Sequence, residues 1–223
     1  MSDGVGTARR ALADGLGTAL LLAVVVGSGI MGERLSGGND ALALLANSLA
    51  TGFALVALIL AFGPRSGAHF NPVVTLALAL RKDFPARDAL PYAVAQIIGA
   101  LLGVLAAHAM FDLPLLQLGE KVRFGAAQWW SEIVATFGLV FVVLSCDSKS
   151  APYAVGGYIA AAYWFTASTS FANPAVTLAR SFTMTFSGIR PEDVAGFVLA
   201  QAIGAALAVA ADRYFFDGKN AAQ

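Results

Sequence analysis

The chain has one cysteine, Cys146, which excludes an intrachain disulfide and any cysteine-built metal centre. It has two histidines, His69 and His108, and neither has the spacing of a zinc ligand set, so no metal and no cofactor are expected. Charge is scarce as well. Charged residues make up 13% of the 223 residues and cancel to a net charge of zero, which offers no electrostatic footprint for nucleic acid. Hydrophobic residues make up 58%, and the mean hydropathy is +0.72. A soluble domain of this length could not enclose so much apolar surface, so the composition is that of a membrane protein.

The apolar residues fall in windows at 11–31, 41–62, 89–110, 130–146, 152–168 and 194–211. Each comes close to the length needed for a helix to cross a hydrocarbon core of about 30 Å, which predicts six spans. Residues 11–31 are not expected to be a cleaved signal peptide, because they are long and no polar domain follows them. If Arg9 and Arg10 are cytoplasmic, then Arg65, Arg81, Lys82, Arg87, Lys149, Arg213 and Lys219 share that side, making nine of the fourteen basic residues. Arg34, Lys121, Arg123 and Arg190 lie opposite, with Arg180 near the outer surface. The positive-inside rule then favours both termini in the cytoplasm, and an even number of spans requires them to share a side.

Two short apolar runs remain, and both open on the same motif. Asn71-Pro72-Val73-Val74-Thr75-Leu76-Ala77 is matched by Asn173-Pro174-Ala175-Val176-Thr177-Leu178-Ala179. Asn is a strong N-cap and Pro is favoured at the first helical position, so each copy reads as a helix start. A lone Asn-Pro dipeptide is as readily a turn. Two copies at matching places in a membrane chain point instead to a substrate pathway built from broken helices. The correspondence extends further: Asp14 and Thr18 match Glu132 and Thr136, and Asp88, Gln96, Gly99 and Asp112 match Asp193, Gln201, Gly204 and Asp217 at one constant offset. Repeats at approximately 8–115 and 126–217 within a single domain, 1–223, would each hold three spans and one half-helix. Three is odd, so the second repeat is inverted across the membrane. The two loops dip in from opposite faces, and non-helical backbone at that depth is tolerated only where protein covers it or it lines a water-filled cavity. A pore is therefore expected, guarded by two half-helix N-termini of roughly +0.5 charge each.

From Asp14-Gly15-Leu16-Gly17-Thr18 through Ser66-Gly67-Ala68-His69-Phe70-Asn71-Pro72-Val73 to the Asn173 motif and the Gln201 helix, the chain resembles the major intrinsic protein family of aquaporins and aquaglyceroporins. The resemblance implies an all-α fold of six transmembrane helices plus two re-entrant half-helices in an inverted 3+3 repeat. It also implies a homotetramer with one pore per subunit in the inner (plasma) membrane. The pore midplane falls to Asn71, Pro72, Val73, Asn173, Pro174 and Ala175, with His69 lining the cytoplasmic half. If each Asn caps with its side-chain oxygen, its amide nitrogen is left to donate toward the pore.

The second constriction departs from the family. Water-selective and many glycerol-conducting members carry an Arg three residues after the second motif's Asn, where this chain has Val176. The other wall positions align with Thr51, Ser170 and either Tyr163 or Ala161. Exchanging a guanidinium for an isopropyl group removes a cationic barrier and five donors, which implies a wider, more neutral filter. Arg180, about two helical turns from the start of the half-helix, is expected to face the outer surface or a loop. His108 is expected to be interfacial. The same departure at Val176 resembles a bacterial subgroup associated with arsenic resistance.

Asp14 and Glu132 lie inside apolar spans, where charge is costly and usually functional. Their symmetric placement, one per repeat, favours a structural role: each would accept hydrogen bonds from the backbone of a re-entrant loop, as the matching family residues do. The rival is a proton-coupled secondary transporter of a small neutral solute that uses both acids. An enzyme is not expected, since the nearest nucleophile and base, Ser66 and His69, already belong to the loop motif. The reading is a passive channel for glycerol-like polyols, neutral metalloid acids such as arsenous acid, and water, excluding ions and protons at the paired Asn-Pro motifs. Its partners are those solutes and the lipid bilayer.

Overall fold

The computed structural model describes residues 6–216, and every regular element among them is helical. The long helices are α1 (Thr7–Leu35), α2 (Asp40–Ser66), α4 (Ala86–Met110), α5 (Ala126–Ser145), α6 (Ala151–Phe165) and α8 (Val194–Phe216). Between them lie two short helices, α3 (Pro72–Leu80) and α7 (Pro174–Arg180). Asp217 and Lys219, used above in the repeat and the charge count, lie outside the described residues.

Five of the long helices have the length and apolarity to cross a membrane. The exception is α6. Its 15 residues reach only about 22 Å, shorter than the window at 152–168 suggests. Thr166 leaves the helix in an extended conformation, and the next residue is held by side chains of α5: Ala167 N donates to Ser131 Oγ and Gln128 Nε2 donates to Ala167 O. Those bonds turn the chain inward earlier than hydropathy alone indicates.

The packing has one pattern, seen twice. Helix α1 lies against α4 and α2, as α5 lies against α8 and α6, and α2 meets α6 between the halves. Glycines set the approach at these contacts, as small residues do between membrane helices. A Cβ on Gly99 would come 2.0 Å from Gly15 O, and one on Gly204 would come 2.5 Å from Ile133 O. Polarity is inverted relative to a soluble protein. Phe53, Leu90 and Leu199 are exposed, whereas Asp14, Gln96, His108, Glu132 and Gln201 are wholly buried. Such a surface suits lipid, and the polar interior positions the site.

Candidate functional site: a cavity between two half-helices

Each Asn of the repeated motif caps its own half-helix. Asn71 Oδ1 accepts from Val73 N at 3.1 Å, and Asn173 Oδ1 accepts from Ala175 N at 3.0 Å and Val176 N at 3.3 Å. The amide nitrogens cross between the halves: Asn71 Nδ2 donates to Ala172 O at 2.7 Å, and Asn173 Nδ2 donates to Phe70 O at 2.8 Å. Only part of each amide is therefore left to donate toward the pore. One N–H of each joins the two loops tip to tip, and one remains for the cavity that both Asn residues line. Val73 and Ala175 sit behind the wall in the core, and Pro72 and Pro174 start the helices, so these four residues shape the loops without facing the cavity.

The loops that deliver these Asn residues are held by the two buried acids. Asp14 accepts from Ser66 Oγ, His69 N, Phe70 N and Gln96 Nε2 at 2.7–2.9 Å. Glu132 accepts from Ser168 Oγ, Phe171 N, Ala172 N and Gln201 Nε2 at 2.6–2.9 Å. The two sets match donor for donor. Gln96 and Gln201 also donate to the Thr75 and Thr177 hydroxyls of the facing half-helices. These carboxylates explain a backbone feature the sequence conceals. Ala68, Phe70, Ser170 and Ala172 all have φ near +50°, a conformation that costs about 1–3 kcal/mol per non-glycine residue and persists only where the surroundings enforce it.

Neither acid lines the cavity, and each already accepts four hydrogen bonds. Both acids are thus engaged by the loops and the neighbouring Gln side chains, which is the structural role their symmetric placement suggests and leaves them no contact with the cavity. The Ser66–His69 combination does not form. Ser66 Oγ donates to Asp14, whereas His69 Nδ1 meets Thr75 Oγ1 at 3.0 Å and its ring packs against Phe84 and Tyr92.

The cavity runs past His69 on one side of the Asn pair and past Thr51, Tyr163, Ser170 and Val176 on the other. Thr51 Oγ1 and the Tyr163 hydroxyl lie 3.3 Å apart. Tyr163 is buried and Ala161 is exposed, so the residue of α6 that reaches the cavity is Tyr163. Apolar side chains, among them Leu21, Val25, Leu139 and Val143, form much of the remaining wall.

Three side chains at the outer end depart from expectation. Arg180 does not face the surface: it is 2% exposed and lines the cavity, with its guanidinium carbon 3.4 Å from the Phe171 ring centroid and its Nε donating to Ser187 O. Arg123, placed above among the basic residues opposite the termini, is buried against the other part of this cluster, 4.8 Å from the same ring centroid. Its Nε donates to Gly188 O and its Nη1 to Ser168 O. Burial pushes the Arg123 guanidinium down to about 10, with Glu132 and Tyr163 pulling the other way, so it stays charged at neutral pH. His108 is not interfacial either: it is fully buried and ties Thr183 to Leu115, fixing the outer loops over α7. Phe171 went unnoticed in the sequence, although it stands two residues before its Asn as His69 does before Asn71.

Comparison with known proteins agrees with this architecture. The family model described as major intrinsic protein matches residues 2–165. The chain belongs to the major intrinsic protein family. It is 57% identical over 209 residues to the aquaglyceroporin AqpS of Rhizobium meliloti, covering 92% of this chain and 89% of that one. It is 31% identical over 177 residues to the aquaporin AqpM of Methanothermobacter marburgensis, covering 70% and 72%. The X-ray structure of the aquaglyceroporin from Plasmodium falciparum superposes with a TM-score of 0.74 over 93% of this chain and 96% of that one, at 18% identity, which shows a shared fold. With its long apolar helices, this family member is a multi-pass membrane protein.

Proposed function

We propose that the chain is a passive channel, not an enzyme, for small uncharged solutes. Glycerol-sized polyols, neutral metalloid acids such as arsenous acid, and water would pass through the cavity between the half-helices. The observation that carries this reading is the cavity itself, lined by the two joined Asn residues and flanked by acids withdrawn behind its wall. A solute oxygen at the midplane meets the remaining Asn N–H donors, and a water donated to from both sides is a poor proton relay. Apolar walls elsewhere leave little to bind a solute tightly, which favours flux over capture. The similarity to a protein named aquaglyceroporin over nearly the whole chain supports the solute class. We place the channel in the inner membrane with both termini cytoplasmic, as a homotetramer. The test is stopped-flow permeability of the purified protein in liposomes. Glycerol flux should rise linearly with concentration and ignore a pH gradient, whereas saturating, gradient-driven flux would identify a transporter.

A further inference from the structure

Val176 and Arg180 are four residues apart on α7, so they stand on the same face one turn apart, and both line the cavity. A guanidinium buried to this degree is ordinarily neutralised by a carboxylate. Arg180 makes no such ion pair among the described residues. Its partners are the face of Phe171 and a single carbonyl, Ser187 O, and its Nη1 is buried without a hydrogen-bond partner. The Arg123 side chain stands on the same ring and is likewise satisfied only by neutral oxygens. Two guanidiniums thus share one aromatic platform at the outer end of the cavity. Packing alone does not account for that arrangement, because an apolar side chain would fill the position without the desolvation cost.

We infer that Arg180 is the outer selectivity residue of this channel: a guanidinium set one turn outward from Val176, which repels entering cations and offers a guanidinium N–H to the hydroxyl of a neutral solute. The inference rests on the channel reading above. It divides the outer filter into two levels about 6 Å apart along α7. At the inner level Thr51, Tyr163, Ser170 and Val176 set the width. At the outer level Arg180 sets the charge and supplies a directional donor. Phe171 holds the guanidinium plane, so the donor is positioned before the solute arrives.

The experiment compares wild type, Arg180→Gln, Arg180→Lys and Val176→Ala in proteoliposomes, reading the glycerol-to-water permeability ratio by stopped flow and sodium or proton leak by ion-sensitive dye. Arg180→Gln should raise cation leak at least tenfold and shift the ratio. Arg180→Lys should keep the membrane tight to cations while shifting the ratio, because the charge survives and the planar stacked fork does not. Val176→Ala should shift the ratio without leak. If Arg180→Gln melts like wild type yet keeps its tightness and its ratio, the inference is overturned. It is equally overturned if Arg180→Lys leaks as much as Arg180→Gln. Should Arg180→Gln fail to reach the membrane folded, Phe171→Leu decides, since it removes the platform and leaves the charge: a shifted ratio with cation tightness supports the assignment, and an unchanged ratio overturns it. Failure of the channel reading looks different, because wild type itself would then show no linear glycerol flux.

Discussion

At the residue scale, part of the cavity wall was legible in the sequence. The motif spacing pointed to Val176 and alignment to Thr51 and Ser170, and all three line the cavity. Arg180 was misplaced because its distance from the half-helix start was weighed without its phase: four residues from Val176 returns it to the same helix face. Neither could the sequence reveal that residues 181–189 fold back over α7, with Ile189 N donating to Arg180 O and Gly119 N to Ser181 O. Val176→Arg would add a further guanidinium on α7, one turn or about 6 Å of helix rise from Arg180, and charges at that spacing repel by roughly 3 kcal/mol at an effective dielectric near 20. We expect the variant to lower glycerol passage more than water passage, measured by stopped flow. Equal loss of both in assembled protein would remove Val176 from the pore wall. Asn173→Asp acts elsewhere. It places a carboxylate oxygen against Phe70 O, where an amide now donates, and sets a negative charge at the junction of the half-helices. Proton or sodium conductance should appear in electrophysiology of the variant, and an electrically silent variant would show that the midplane is no ion barrier.

At the element scale, the helices and both half-helix starts could be read from windows of hydropathy and from Asn-Pro, but the loops before them could not. Left-handed backbone is ordinarily a glycine's place, yet Ala68, Phe70, Ser170 and Ala172 adopt it because distant carboxylates, more than fifty and nearly forty residues back in the chain, pin the neighbouring N–H groups. Replacing Glu132 with Gln tests this. An amide has one acceptor oxygen and turns its NH2 toward groups that are themselves donors, so at least one charge-assisted bond, worth about 1.5–3 kcal/mol, is lost and a donor is orphaned. Thermal unfolding in detergent should show marked destabilisation, and the matching Asp14→Asn should behave alike. An undisturbed melting curve for either would deny the acids their scaffolding role. Helix contacts make a comparable prediction. Gly99→Leu forces a side chain into the carbonyl of Gly15, an overpacking of 1–3 kcal/mol or more in typical cores, and should sharply reduce folded protein recovered by size exclusion.

At the scale of the whole molecule, the repeated contacts and hydrogen bonds place two similar units tip to tip, and the cavity they enclose is lined by residues of one chain. A homotetramer of such chains would carry one pore per subunit. The orientation test needs exposed positions: Leu116, 80% exposed, is suited to cysteine labelling from outside once Cys146 is replaced, whereas the buried Arg123 is not. Label reaching Leu116 and the termini from the same side would overturn the proposed topology. Pore number is tested by mixing. Val176→Trp should fill the cavity between Thr51, Tyr163 and Ser170 and block its own subunit while leaving the outward helix faces untouched. When wild-type and Val176→Trp chains are co-expressed in known ratios and reconstituted as mixed assemblies, glycerol flux should fall in direct proportion to the wild-type fraction, because each open subunit conducts alone. A much steeper fall, with flux lost as soon as most assemblies contain one blocked chain, would mean that the conducting path is shared among subunits and that the cavity within the single chain is not the route.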